Sequence, residues 1–247
     1  MTGRDVSVMA DTTRPNAKIA GVGDVSGGSY AEVSIAGAGT VLGDIDVTAL
    51  KIAGTGNIQG RVTANAVTVS GNANFASDIQ AGELTVNGTA EVLGGIGAGN
   101  FKVAGVCTVS GSVNAQKLEI RGTTKIGGDV QAESFDAQGV FSIGGLLNAG
   151  TVKIRLYGGC DARDIGGERI DVALGKPWAF LPFFGERNLT ADSIEGDVVV
   201  LENTRAKVVR GGDVRIGTGC EIDLVEYTGT LVGSDGVKAS RKVSAGA

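Results

Sequence analysis

Apolar and polar residues alternate in short runs along this chain, and from Ser34 to Val152 the alternation returns in a strict 17-residue frame without insertion or deletion. The opening Lys51-Ile-Ala-Gly reappears as Thr68-Val-Ser-Gly, Thr85-Val-Asn-Gly, Lys102-Val-Ala-Gly, Glu119-Ile-Arg-Gly and Asp136-Ala-Gln-Gly, and one earlier copy opens at Ser34. Four positions of the unit are apolar in almost every copy. The second runs Ile35, Ile52, Val69, Val86, Val103, Ile120, with Ala137 as its exception. The eighth runs from Val41 to Ile143, the twelfth from Ile45 to Leu147 and the last from Leu50 to Val152. The fourth is always glycine (Gly37 through Gly139), the tenth is glycine except at Ser77, and the fourteenth is alanine in six copies, Ala64 through Ala149.

A fixed short period marks a solenoid in which each repeat is one coil of a stack. Polar residues between the apolar ones give the alternation of half-buried strands. The β-branched columns then stack as ladders inside the coil, and the small residues sit where the backbone turns or neighbouring chain comes close. Seven coils advancing about 4.8 Å each make a rod of about 34 Å. The apolar gaps close in a 17-residue frame, against about 18 for a hexapeptide helix. The expected fold is all-β: a parallel β-helix solenoid with three-sided, 17-residue coils.

The repeat has edges. Lys18-Ile-Ala-Gly reads as an earlier coil, with Ile19, Gly21, Val25 and Gly27 in frame and one residue missing before Val33. Past Val152 strand character continues but the register is lost, and then comes GKPWAFLPFFGERN with the sole tryptophan. A 16-residue repeat follows, matching Val198 with Val214, Val200 with Ile216, Ala206 with Ile222 and Val208 with Leu224. The expected division is a flexible tail over 1–17, a β-helix over 18–172, an apolar loop over 173–188, further coils over 189–232 and a second tail over 233–247.

Composition narrows the chemistry. Glycine is abundant at 42 residues and aromatics are scarce at 4%, which suits narrow coils. A net charge of −5 argues against a nucleic-acid partner. The start carries no apolar signal-peptide stretch, and no run approaches a membrane span. Cys107, Cys160 and Cys220 are far apart and odd in number, which points to a reducing cytoplasm and to small buried hydrophobes. The chain has no histidine, which removes Ser/His and Cys/His catalysis and His-ligated metals. Asp44, Asp46, Asp78 and Asp129 fall at outward positions without a matching cluster, and the GGIGAG run at 94–99 recurs with the coil and precedes no helix. No catalytic residue, cofactor, metal site or small-molecule substrate is expected.

Three segments resemble the bactofilins, polymer-forming cytoskeletal proteins of bacteria, and most closely their longer Gram-positive form: GDVSGGSYAEVSIAGAGTVLGDI, FSIGGLLNAGTVKIRLYGGCDARDIGG and LTADSIEGDVVVLENTRAKVVRGGDVRIGTGCEIDLVEY. With the repeats they cover about residues 18 to 231. The resemblance implies a right-handed β-helix that assembles end to end into filaments without nucleotide, serving as a scaffold for cell-wall, shape or motility machinery. The chain departs from the shorter bactofilins in length and in lacking a clear membrane-targeting start.

The end coils of a β-helix carry unpaired backbone donors and acceptors. This places self-assembly at Ile19, Val25 and Tyr30 on one pole and at Leu224, Tyr227 and Leu231 on the other. In the apolar loop, Trp178, Phe180, Leu181, Phe183 and Phe184 form either a lid over the core or a contact surface for a membrane or a cell-envelope protein. The expected partner is the chain itself, and the expected location is the cytoplasm, with the inner membrane face as a docking option. The alternative is a monomeric or trimeric β-helix that binds or modifies carbohydrate. Its groove of aromatics and acids has no visible counterpart in the sequence, and neither does the Thr-x-Thr face of an ice-binding solenoid.

Overall fold

The computed structural model describes residues 14–175 and 186–233, and the backbone of 239–241. Within them every regular element is a β-strand, from Asn16–Ile19 to Ala239–Arg241, in one parallel sheet wound into a solenoid of about 12 turns. At about 4.8 Å per turn the stack is about 58 Å long.

The inner periodic coils each carry a four-residue and an eight-residue strand, as in Thr55–Ile58 and Val62–Val69, while the first and last are part of the longer Ala38–Ile52 and Val140–Leu156. Val62 pairs with Ile79 and Val67 with Leu84, each one repeat further along the chain, while the ladder skips Asn65 and Gly82. That break bends the long strand into two sides, and the short strand supplies the third. The four apolar columns fill the interior, and none of their members is more than 3% exposed.

A fifth inward column lies at the sixth position: Gly39, Gly56, Ala73, Ala90, Cys107, Thr124 and Phe141. It complements the second position in volume. A Cβ on Gly39 would lie 2.6 Å from Ile19 Cδ1 and 2.9 Å from Ile35 Cγ2, so the isoleucines occupy that space. At the other end Ala137 vacates space and Phe141 fills it, packing edge-to-face on Phe135 with ring centroids 5.3 Å apart. Interiors keep near-constant density, so the exceptional Ala137 belongs with Phe141. The fourth-position glycines answer a different constraint. A Cβ on Gly54 would sit 2.0 Å from the Gly37 carbonyl oxygen, which accepts the Thr55 N–H at 2.8 Å. No side chain fits there.

At the start, Ile19 pairs with Ile35, and the missing residue falls at the register shift between Ser26 and Gly28. Past Val152 the coil length changes repeatedly: Val152 pairs with Ile170, Val172 with Leu201, Leu201 with Ile216 and Val209 with Val225. The coils on either side of the apolar loop are therefore successive rungs of one stack. Here the structure corrects the expected 16-residue register. Val199, not Val198, pairs with Val214, and Leu201, not Val200, pairs with Ile216; Val199 and Leu201 are the fully buried pair. A slip of one residue exchanges the faces of a strand, and the continuous run Val198-Val-Val-Leu has no alternation to fix its phase. Ala206 with Ile222 and Val208 with Leu224 pair as expected.

Candidate functional site

The first pole is the coil of Asn16–Ile19 and the leading half of Val22–Ile35. Its strands pair only toward the following coil, so among the described residues their outer edge has no partner. Ile19 is 7% exposed because it leans into the space left by Gly39. Val25 and Tyr30 are half-buried against the core, and the Tyr30 hydroxyl donates to the Ser26 carbonyl at 2.9 Å, closing the bend at the register shift. Val22, which sequence reasoning passed over, is 92% exposed on this edge. Its signal was present: it occupies the fifth, outward position, which is mostly polar in later coils.

The second pole is less open. Tyr227 and Leu231 are half-buried against the core, and Leu231 stacks on Val214. Leu224 is half-buried in an outward column below Val208 and is not part of the interior. The backbone of 239–241, within the stretch read as a tail, pairs with Val225–Tyr227 and covers that part of the edge. The Glu221–Leu224 part of that edge has no outer partner among the described residues. Trp178, Phe180, Leu181, Phe183 and Phe184 lie outside the described residues.

Between the poles the outward acids hold corners together. Asp44 accepts the Arg61 N–H at 2.7 Å, Asp78 the Gly95 N–H at 2.8 Å and Asp129 the Leu146 N–H at 2.8 Å. Each carboxylate bridges one coil to the next where the backbone ladder lapses. Asp46 instead receives both terminal nitrogens of Arg14, at 3.2 and 3.0 Å. No cluster of three or more potential metal ligands occurs among the described residues, and none of their helices is long and apolar enough to cross a membrane. Burial pushes the Cys107 thiol up to about 12 and the Cys160 thiol up to about 11, and raises that of the half-buried Cys220. Thiols so placed stay protonated near neutral pH and are poor nucleophiles.

One side of the rod is concave, a feature the sequence did not suggest. Three hollows of about 390, 360 and 840 Å³ follow one another along the axis, meeting at Asn114 and Asn148, and a fourth of about 430 Å³ lies across the Gln80–Gln131 column from the first two. One rim is a column running Gln80, Gly97, Asn114, Gln131, Asn148, Gly166, Glu195, Arg210 and Glu226 from coil to coil. The floor is alanine and glycine, ending in Gly167, Gly196 and Gly211, with Tyr227 as the next member of the same column. In the largest section Arg210 Nε donates to Glu226 at 2.7 Å, with Glu195 3.9 Å from the same guanidinium. Ser193 donates to Asp164 at 2.5 Å, and that bond, with Arg163 beside it, holds the Asp164 carboxyl below the usual carboxylate range. The sequence showed no groove of aromatics and acids; the structure gathers acids here, with Tyr227 as the one aromatic in the lining. Its acids come from coils of unequal length, so no fixed spacing announces them.

No family model matches the chain. Two curated proteins of Bacillus subtilis (strain 168) are similar to part of it. Uncharacterized protein YhbE is 44% identical over 102 residues, 40% of this chain and 43% of YhbE. Uncharacterized protein YhbF is 45% identical over 85 residues, 33% of this chain and 34% of YhbF. The matched stretch thus spans less than half the length of either relative. No solved structure matches.

Proposed function

We propose that this chain is a non-enzymatic scaffold that assembles end to end with its own copies, in the manner of the bactofilins it resembles, without nucleotide or metal. The observation that carries the reading is the outer edge of the first coil, whose backbone donors and acceptors have no strand partner among the described residues, together with the exposed Val22. Such an edge is a template for another strand. Docking a pole of the next copy there would continue the parallel ladder and bury apolar surface. Filaments of this kind would organise envelope, shape or motility machinery from the cytoplasmic side, with the apolar loop as the contact to membrane or partner.

Light scattering and electron microscopy on three variants test the reading. Val22→Lys changes a side chain already in solvent, so the coil should melt as before while the charge blocks a dry joint. Leu224→Lys should weaken assembly from the other pole. Phe183→Ser combined with Phe184→Ser should leave filaments intact and reduce bundling or membrane association. Normal filaments from both pole variants, with loss in the loop variant, would move the joint to the loop and end the polar model.

A further inference from the structure

We propose that the lateral groove is a binding site for an extended, uncharged polyhydroxylated chain, that is, a linear β-linked glycan. The site is separate from the poles' outer edges, and the inference does not rest on filament formation.

Length comes first. The rim column crosses nine coils from Gln80 to Glu226, or eight steps of about 4.8 Å, which gives about 38 Å. A site of that length takes an extended polymer, and each coil advances by about the length of one sugar unit in such a chain. The lining chemistry then selects among polymers. Asn114, Gln131 and Asn148 are exposed and make no side-chain hydrogen bond to another described residue. Each offers donors and acceptors together, which is what a chain of hydroxyls, itself both donor and acceptor, requires. The floor of small residues admits the edge of a flat ring, and the Tyr227 ring lines the far end.

Other occupants fit less well. The largest section is lined by Asp164, Glu168, Glu195, Asp197 and Glu226 with Arg210, and Arg163 stands beside Asp164, so acids outnumber cations there. That balance repels nucleic acid and anionic polysaccharide. An extended peptide gains its affinity by adding to a free strand edge, and between Gln80 and Arg210 every strand of the column is already paired on both sides. Asp164 already accepts the Ser193 hydroxyl, and the role assigned to the groove is binding.

Titration calorimetry of the full chain with cellohexaose and with chitohexaose tests the assignment, with hexalysine as the competing class. Saturable binding of at least one hexasaccharide is expected, little changed by 0.5 M salt because the contacts are between neutral groups. The variant Asn114→Ala, Gln131→Ala, Asn148→Ala should weaken it at least tenfold. All three side chains are exposed, so its melting curve and its light scattering should match the parent, which separates loss of the site from loss of the fold. Three results would each overturn the proposal: neither sugar binding at millimolar concentration, binding undiminished in the triple variant, or salt-sensitive binding of hexalysine alone.

Discussion

The coils between Ser34 and Val152 and those after Val152 build the same solenoid by different rules. In the first region every coil has the same length, and a side chain's place follows from its number alone. In the second, successive coils step from Val152 to Ile170, from Val172 to Leu201, and from Leu201 to Ile216, yet the interior stays filled, with Ile170, Val172, Val199 and Leu201 fully buried. What a β-helix conserves is therefore the inward column and the ladder beneath it, not coil length. Length can vary at the corners, where residues leave the ladder, and the surface built there is where the groove deepens.

The largest expected effect probes register in the irregular region. Val199→Asp places an unpaired carboxylate in the interior and should cost several kcal/mol, whereas Val198→Asp, one residue away, should be close to neutral. Ile126→Asp and Lys125→Asp are the same contrast in the periodic region. Thermal melts of the four variants should fall into two classes, and a Val198→Asp melt as low as that of Val199→Asp would restore the 16-residue register.

A smaller effect tests whether the periodic interior is tuned in volume. Ala137→Leu should overpack against Phe141 and cost about 1–3 kcal/mol, and Phe141→Ala in the same chain should relieve much of it. Denaturant melts in a double-mutant cycle should show coupling of more than about 0.5 kcal/mol. Strict additivity would mean that the two positions do not share space.

Smaller again is the corner bond of Asp129. Asp129→Ala should cost about 1 kcal/mol, the worth of an ordinary hydrogen bond because exposure weakens the charged one, and should speed hydrogen exchange at the Leu146 amide specifically. Unchanged exchange there would separate the carboxylate from any structural role.

The least effect concerns pH. Ser193 and Arg163 depress the folded value of Asp164, so its contribution is fully present above the unfolded value of about 3.9. It is lost as pH falls from there through the lower folded value. Exposure keeps it below about 1 kcal/mol. Ser193→Ala should flatten this part of the stability-against-pH curve, and identical curves would remove the bond from the account.

Fold class, four inward columns and a residue missing before Val33 were legible because strict repetition turns seven noisy alternations into one clear phase. The Ala137 exception was visible but not interpretable, since its compensation by Phe141, four residues on, appears only once the corner between them is folded. The Val198-Val-Val-Leu run was misphased because an all-apolar strand carries no period-two signal. Ile19 and Leu224 followed from their place at the chain's end coils, but whether each side chain turns inward depends on local gaps, such as the one above Gly39. The acidic end of the groove was hidden because it joins residues from coils of unequal length.

Negative-stain microscopy of the purified full chain, in EDTA and without nucleotide, bears most directly on end-to-end assembly. Continuous unbranched filaments are expected, persisting at high salt because backbone and apolar contacts hold the joint. Separate rods of about 58 Å, the length of a single stack, at every protein concentration, or filaments that appear only when nucleotide or a metal ion is supplied, would contradict it.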